Sequence, residues 1–264
     1  PGLSACGATP QGHPTYTPAM ISANEQHQLR VDLAAAFRIT HRLGWSESVG
    51  NHFSAAVSAD GSQFLMNPRW RHFGAMRASD LLLLDANDAD VMSRPNAPDL
   101  SAWTVHGTIH RRLPTARVLL HLHTPYATAL STLEDPTMLP IDNNTARFYA
   151  DLAIDKAFGG IADDQEEGER LASTLGNKSC LLMGNHGVAV SAGTVAEAFE
   201  KIYFFERAAQ TLMLAYASGR PLRVLNHAVA EHTAHGWKAY QGMAQAHFAF
   251  LKSELDASDP SYRD

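Results

Sequence analysis

Cysteine is almost missing: the 264 residues hold two, Cys6 and Cys180. Cys6 stands in a leader rich in proline, glycine, serine and threonine, and Cys180 stands in an apolar run, so no structural disulfide is expected and a reducing compartment fits. An apolar stretch long enough to cross a bilayer is missing too, which excludes a helical membrane span. Positive charge is in deficit. Lys and Arg number 21 against 27 Asp and Glu, for a net charge of −6. A phosphate backbone demands a basic face, so nucleic acid is not the expected partner. No run of like charge suggests a binding tail, and no internal repeat stands out. Pro1 to Pro18 holds no basic region followed by an apolar core, so no secretion signal is expected and the default location is cytoplasmic.

What is present is ordinary globular material, 45% hydrophobic and 18% charged. The length sits at the upper end for one compact domain. Pro1–Ile21 reads as a flexible arm. Asn24 to Leu43 carries Leu29, Leu33 and Phe37 on one helical stripe and stops at Gly44. Ser54–Val57 and Gln63–Met66 read as short strands around the turn Asp60-Gly61. Four leucines between Asp80 and Asp85 read as a buried strand. Ser101 to Arg112 is helical and stops before Pro114. Ala116–His123 is strand-like, and Thr124-Pro125 opens a helix through Leu133. Asp163 to Leu175 is an amphipathic helix ending at Gly176. Ser179–Met183 and Val188–Ser191 are strands joined by Gly184-Asn185-His186-Gly187. Thr194 and Glu197 form a capping box for a long helix that ends before Gly219. A final helix is expected from Trp237 to Leu255. Strands and helices mix throughout, so the class is α/β or α+β.

The chemistry sits in the histidines. His121 and His123 are two apart on a strand, so their rings point to the same face. With 14 histidines in the chain, chance alone supplies about 0.7 such pairs, so the pair by itself is weak. His106 and His110 form a rival pair at helical i,i+4 spacing; the simpler reading buries one against the sheet and exposes the other. His232 and His235 fall in a polar surface stretch. His186 shifts the balance, because flanking glycines let the chain turn sharply and bring its ring out at a strand end. Three imidazoles with open positions left over are the pattern of a catalytic metal site. Such ligands suit zinc, manganese, iron, cobalt or nickel.

The runs that carry these histidines have a resemblance. Arg117-Val-Leu-Leu-His-Leu-His-Thr-Pro-Tyr-Ala-Thr-Ala resembles the metal-binding strand of class II aldolase/adducin proteins. Cys180-Leu-Leu-Met-Gly-Asn-His-Gly-Val-Ala-Val resembles their third ligand segment. Gly50-Asn51-His52-Phe53-Ser54 is similar to their Gly-Asn-x-Ser substrate loop, lengthened by one residue. Phe64-Leu-Met-Asn-Pro, Leu81-Leu-Leu-Leu-Asp and the helix from Thr194 to Leu214 follow in the family order, so the likeness runs over residues 24 to 218. It implies a three-layer α/β fold with a central, mostly antiparallel sheet and helices on both faces. It implies a catalytic domain over 22–220 with a helical extension over 221–264. It implies metal ligands His121, His123 and His186, one divalent ion per subunit with zinc foremost, and a homotetramer with its sites at subunit boundaries.

Two departures from the family pattern shape the expected chemistry. The catalytic glutamate of its sugar-phosphate aldolases falls on Ala102 within Leu100-Ser101-Ala102, and their phosphate-holding Thr-Gly falls on Arg69-Trp70. Another proton carrier is then needed, and Tyr149, His106 and His52 are the candidates. Arg69 and Arg147 are expected to fork onto a substrate carboxylate, with Trp70 and Asn51 completing the substrate contacts and Arg71 a surface residue. The expected function is a metal-dependent carbon–carbon lyase for a small, unphosphorylated carboxylate. It would work by decarboxylation of a hydroxylated, even aromatic, acid or by retro-aldol cleavage. The alternatives are a non-catalytic module like the adducin head and a sugar-phosphate aldolase or dehydratase.

Overall fold

The chain was analysed as a computed structural model that describes residues 19–161 and 164–264. Its strands alternate in hydrophobicity too weakly to be sided by eye, yet their pleat divides the core cleanly. Val118, Leu120 and Leu122 of β4 (Val118–Leu122) point to one side of the sheet, and Leu119 and His121 point to the other. The same division runs through β1 (His52–Ala56), where Phe53 and Ala55 join the first layer. The first layer is closed by α1 (Ala23–Arg42), α3 (Pro125–Ser131) and α5 (Val195–Ala217). Phe37 of α1 stacks on Phe53 with ring centroids 4.5 Å apart. The second layer is closed by α2 (Leu100–Arg112) and α4 (Gln165–Leu175). The three-layer α/β arrangement expected from sequence is thus present.

The sheet is completed by β2 (Gln63–Met66), β3 (Leu82–Asp85), β5 (Leu152–Asp155), β6 (Cys180–Met183) and β7 (Gly187–Ala192). Its order is β3-β2-β1-β4-β7-β6-β5. Every pairing is antiparallel except β5 with β6. β5 escapes sequence reading, because Leu-Ala-Ile-Asp is only four residues long and lacks the bounding turn dipeptides that mark a hairpin. Its entry is turned by Ala150 at a left-handed φ of 60°.

Three further expectations change. The last helix is not continuous: α6 (His227–Ala239) and α7 (Met243–Ser258) are separated by Gly242 at φ 88°, a conformation that glycine adopts at no steric cost and that ends a helix. Of the expected arm, residues 1–18 lie outside the described residues. Met20, however, bridges to Ser58, and the Ile21 amide donates to the Val57 carbonyl at 3.0 Å, so this end is tied to the sheet. His106 and His110 are both fully buried, where one was expected outside.

The capping box at Thr194 and Glu197 forms as expected. At α3 the Thr124 side chain makes no cap bond of its own. Glu206, buried on α5, accepts from the Thr124 hydroxyl at 2.6 Å and from the Tyr126 and Ala127 amides at 2.9 Å. A carboxylate supplied from another helix thus caps this one.

Candidate metal centre

Register, rather than local sequence, builds the site. β1 runs antiparallel to β4 with His52 opposite His121 and Ser54 opposite Leu119. The β6–β7 turn closes at the same end, where Met183 faces Gly187. His186 therefore meets His121, on β4, and His123, just past its end, at the sheet rim. Sequence reading gave the flanking glycines the task of turning the chain. Asn185 does that instead, at φ 53°. The glycines make room: a Cβ on Gly187 would stand 2.5 Å from the Leu122 oxygen and 2.8 Å from the His123 ring, and one on Gly184 would stand 2.8 Å from the Asp155 oxygen.

His121, His123 and His186 each offer a ring nitrogen within 4.8 Å of the others. His121 Nδ1 lies 3.2 Å from the Val188 carbonyl, which can only accept, so Nδ1 carries the proton. His123 Nδ1 donates to Glu47 Oε2 at 2.5 Å. Both Nε2 atoms then present lone pairs, 3.0 Å apart. Two facing lone pairs repel unless a positive charge lies with them, and the third donor, His186, completes a set that suits a divalent cation. Burial holds His121 far below the ordinary imidazole range, and burial followed by the neighbouring His123 takes His186 down to about 4. The His121 and His186 rings are therefore neutral, as ligands must be. The carbonyl behind His121 and the carboxylate behind His123 fix the orientations of those two rings.

The three rings open on a cleft of about 810 Å³ lined by Asn51, His52, Arg69, Trp70, Asp99 and Phe158 among others. Asn51 is 4% exposed, adopts φ 68°, and leaves both polar atoms of its amide without a protein partner. Asn67 braces the loop: its Oδ1 accepts from the Phe53 amide and its Nδ2 donates to the Asn51 carbonyl. Trp70 also has left-handed backbone, φ 65°, and its indole is exposed. Unusual backbone concentrated at one rim is where a functional site stores strain. Asp99 caps α2, accepting from the Ser101 and Ala102 amides. Those bonds hold its carboxyl low despite burial.

Other expected residues lie elsewhere. His106 is behind the cleft, its Nε2 3.1 Å from His52 Nδ1. The Tyr149 hydroxyl meets His227 Nδ1 at 3.0 Å. The Arg147 guanidinium lies between the Phe204 and Trp237 rings, 3.7 and 4.0 Å from their centroids, beside a separate cavity of about 320 Å³ at the opposite end of β6 and β7. Within one chain neither residue reaches the metal cleft, and Arg147 has a packing role where it stands. Arg71 pairs with Asp80 at 2.8 Å. Glu47, Asn67 and Asp99 went unseen in the sequence. Only Asp99 had a local signal, as an N-cap residue ahead of the helical run.

The Class II Aldolase and Adducin N-terminal domain family model matches residues 31–213. The chain is 30% identical to PA3430 of Pseudomonas aeruginosa, a protein named for aldolase class 2, over 95% of this chain and 97% of that one. It is 24% identical to Decarboxylase NovR of Streptomyces niveus, over 86% of each. The crystal structure of an aldolase II superfamily protein from Pseudomonas syringae superposes with a TM-score of 0.82 at 29% identity, covering 92% of this chain and 98% of that one.

Proposed function

This chain belongs to the class II aldolase and adducin family, and from that premise we propose that it is a divalent-metal-dependent carbon–carbon lyase for a small, unphosphorylated, carboxylate-bearing substrate. The observation that carries the reading is the convergence of three imidazoles at the floor of an open cleft. A divalent ion held there, zinc foremost, supplies a Lewis acid to a substrate oxygen beside the bond being broken. The protein supplies the rest. Arg69 stands at the cleft where phosphate-binding residues would be expected, and its planar fork matches a carboxylate. Trp70 fills volume that a phosphate would occupy and offers a face to an aromatic ring. Asn51, with both amide atoms uncommitted, can hold a hydroxyl or carbonyl in register. Ala102 stands at the family's glutamate position, so that glutamate is not there to move a proton. His52 is the imidazole at the cleft wall able to hold one.

Likeness to a protein named as a decarboxylase favours loss of carbon dioxide over loss of an aldehyde. The test begins with metal content: the purified protein is expected to hold about one divalent ion per chain, and its removal to abolish carbon dioxide release from hydroxylated carboxylic acids. A metal-free protein with no such activity would instead fit a binding module. Arg69→Met keeps most of the stem and removes the fork. Because Arg69 is exposed, the loss should be about 1–3 kcal/mol in kcat/KM, roughly five- to 160-fold, on carboxylate substrates. Efficient cleavage of a sugar phosphate that is unchanged in Arg69→Met would overturn the carboxylate reading.

A further inference from the structure

Behind the cleft wall lies a buried file of polar groups that the lyase reading leaves without a task. His110 Nδ1 lies 2.8 Å from the Ala116 carbonyl. His110 Nε2 lies 2.6 Å from Ser54 Oγ, which in turn lies 2.6 Å from His106 Nδ1. His106 Nε2 lies 3.1 Å from His52 Nδ1. Ser54, His106 and His110 are all buried, while His52 reaches the cleft and packs on His121 with ring centroids 5.0 Å apart.

The direction of these bonds follows from the end of the file. A carbonyl oxygen has no proton, so His110 must donate from Nδ1. A neutral His110 then accepts at Nε2, and the acceptor there is filled by the Ser54 hydroxyl proton. Ser54 has only that proton, so its oxygen accepts from His106 Nδ1–H. A neutral His106 accepts at Nε2 from His52 Nδ1–H. Reversing any link would set two lone pairs or two protons against each other in a buried place, at the cost of a lost hydrogen bond. Burial favours the neutral ring at His106 and His110, as this order requires.

We propose that the Ala116 carbonyl, His110, Ser54 and His106 form a one-way hydrogen-bond chain that locks His52 as its Nδ1–H tautomer, so that Nε2 meets the substrate as a hydrogen-bond acceptor and selects a hydroxyl donor. Among the described residues nothing else bonds His52 Nε2. His106, Ser54 and His110 are positioning residues, since none of them needs to touch substrate. The file is no proton exit, because it ends on an amide oxygen that cannot pass a proton on. The selection of a hydroxyl beside the metal rests on the lyase reading, whereas the tautomer does not.

The two parts are tested separately. Long-range ¹H–¹⁵N correlation spectra of the zinc-loaded protein with ¹⁵N-labelled histidine report each tautomer, and the His52 signals are those lost in His52→Gln. Nδ1 protonated and Nε2 bare is the expected pattern; an Nε2–H tautomer in the unaltered protein overturns the chain, whatever the enzyme does. Ser54→Ala should turn His52 into a mixture of tautomers, and Ser54→Thr, which keeps the hydroxyl, should restore the single form. A His52 tautomer that stays pure in Ser54→Ala would also defeat the proposal. The activity arm compares a hydroxylated substrate with its O-methyl analogue. Their kcat/KM ratio should fall about tenfold in Ser54→Ala, a variant that leaves the cleft wall unaltered. A correct tautomer with no change in that ratio would retire the hydroxyl selection and leave the chain standing.

Discussion

Glu47 holds the back edge of His123 through a 2.5 Å contact, so on the proposed reading its loss would act on the metal without removing a ligand. Glu47→Gln should weaken metal binding about 10- to 100-fold in competition with a chromophoric chelator, whereas His186→Ala should abolish stoichiometric binding. Equal affinity in Glu47→Gln would show that the carboxylate orients nothing. His110 gives the residue scale a pH signature. Burial sets it down to about 4 from its ordinary 6.5. Below pH 6.5 the unfolded chain takes up a proton that the folded chain refuses until about pH 4, so stability falls as pH falls through that window. One such group amounts to about 3 kcal/mol over the whole window. Urea melts of metal-free protein between pH 7 and pH 4.5 should show the loss, and His110→Gln should flatten the slope by about one proton. A slope unchanged in His110→Gln would place the proton uptake elsewhere. The cluster of His121, His123 and His186 was legible, because spacing two apart and a glycine-flanked turn are local patterns. Glu47 was not, since nothing near it in sequence marks a partner for a ring that only folding brings within reach.

At the scale of elements, the cap on α3 comes from α5 rather than from the helix's own Thr124. Glu206→Gln keeps the shape but turns one acceptor into a donor facing backbone amides. It should cost about 2–3 kcal/mol in denaturant melts, more than an exposed cap would. A loss below about 0.5 kcal/mol, usual for a surface change, would mean that solvent satisfies those amides. Long elements with strong punctuation were readable: α1, α5 and the β6–β7 hairpin fall within a few residues of expectation. β5 was not, because a four-residue strand held by one parallel neighbour carries its information in that neighbour. The break between α6 and α7 had a signal in Gly242, which continuous apolar spacing across it outweighed.

At the scale of the whole molecule, Leu214, Val229 and Phe250 are exposed on the last three long helices, and Tyr240 just past the end of α6. Large apolar groups left outside suggest a covered surface, and family resemblance suggests a fourfold assembly. Light scattering at micromolar concentration should give four chain masses, and a single chain mass would refute it. Among the described residues no helix is long and apolar enough to cross a membrane. The layered architecture was legible only through the resemblance, since period and length left α/β and α+β undivided. The order of strands adds a statement about time. His121 lies on β4 and His123 just past its end, and His186 becomes their neighbour only when β7 pairs with β4, Leu122 against Val188. A ribosome releasing the chain from its N-terminus has therefore released β7 before the three imidazoles can meet. On the proposed metal reading, loading would follow the pairing of β7 with β4 and could not precede it.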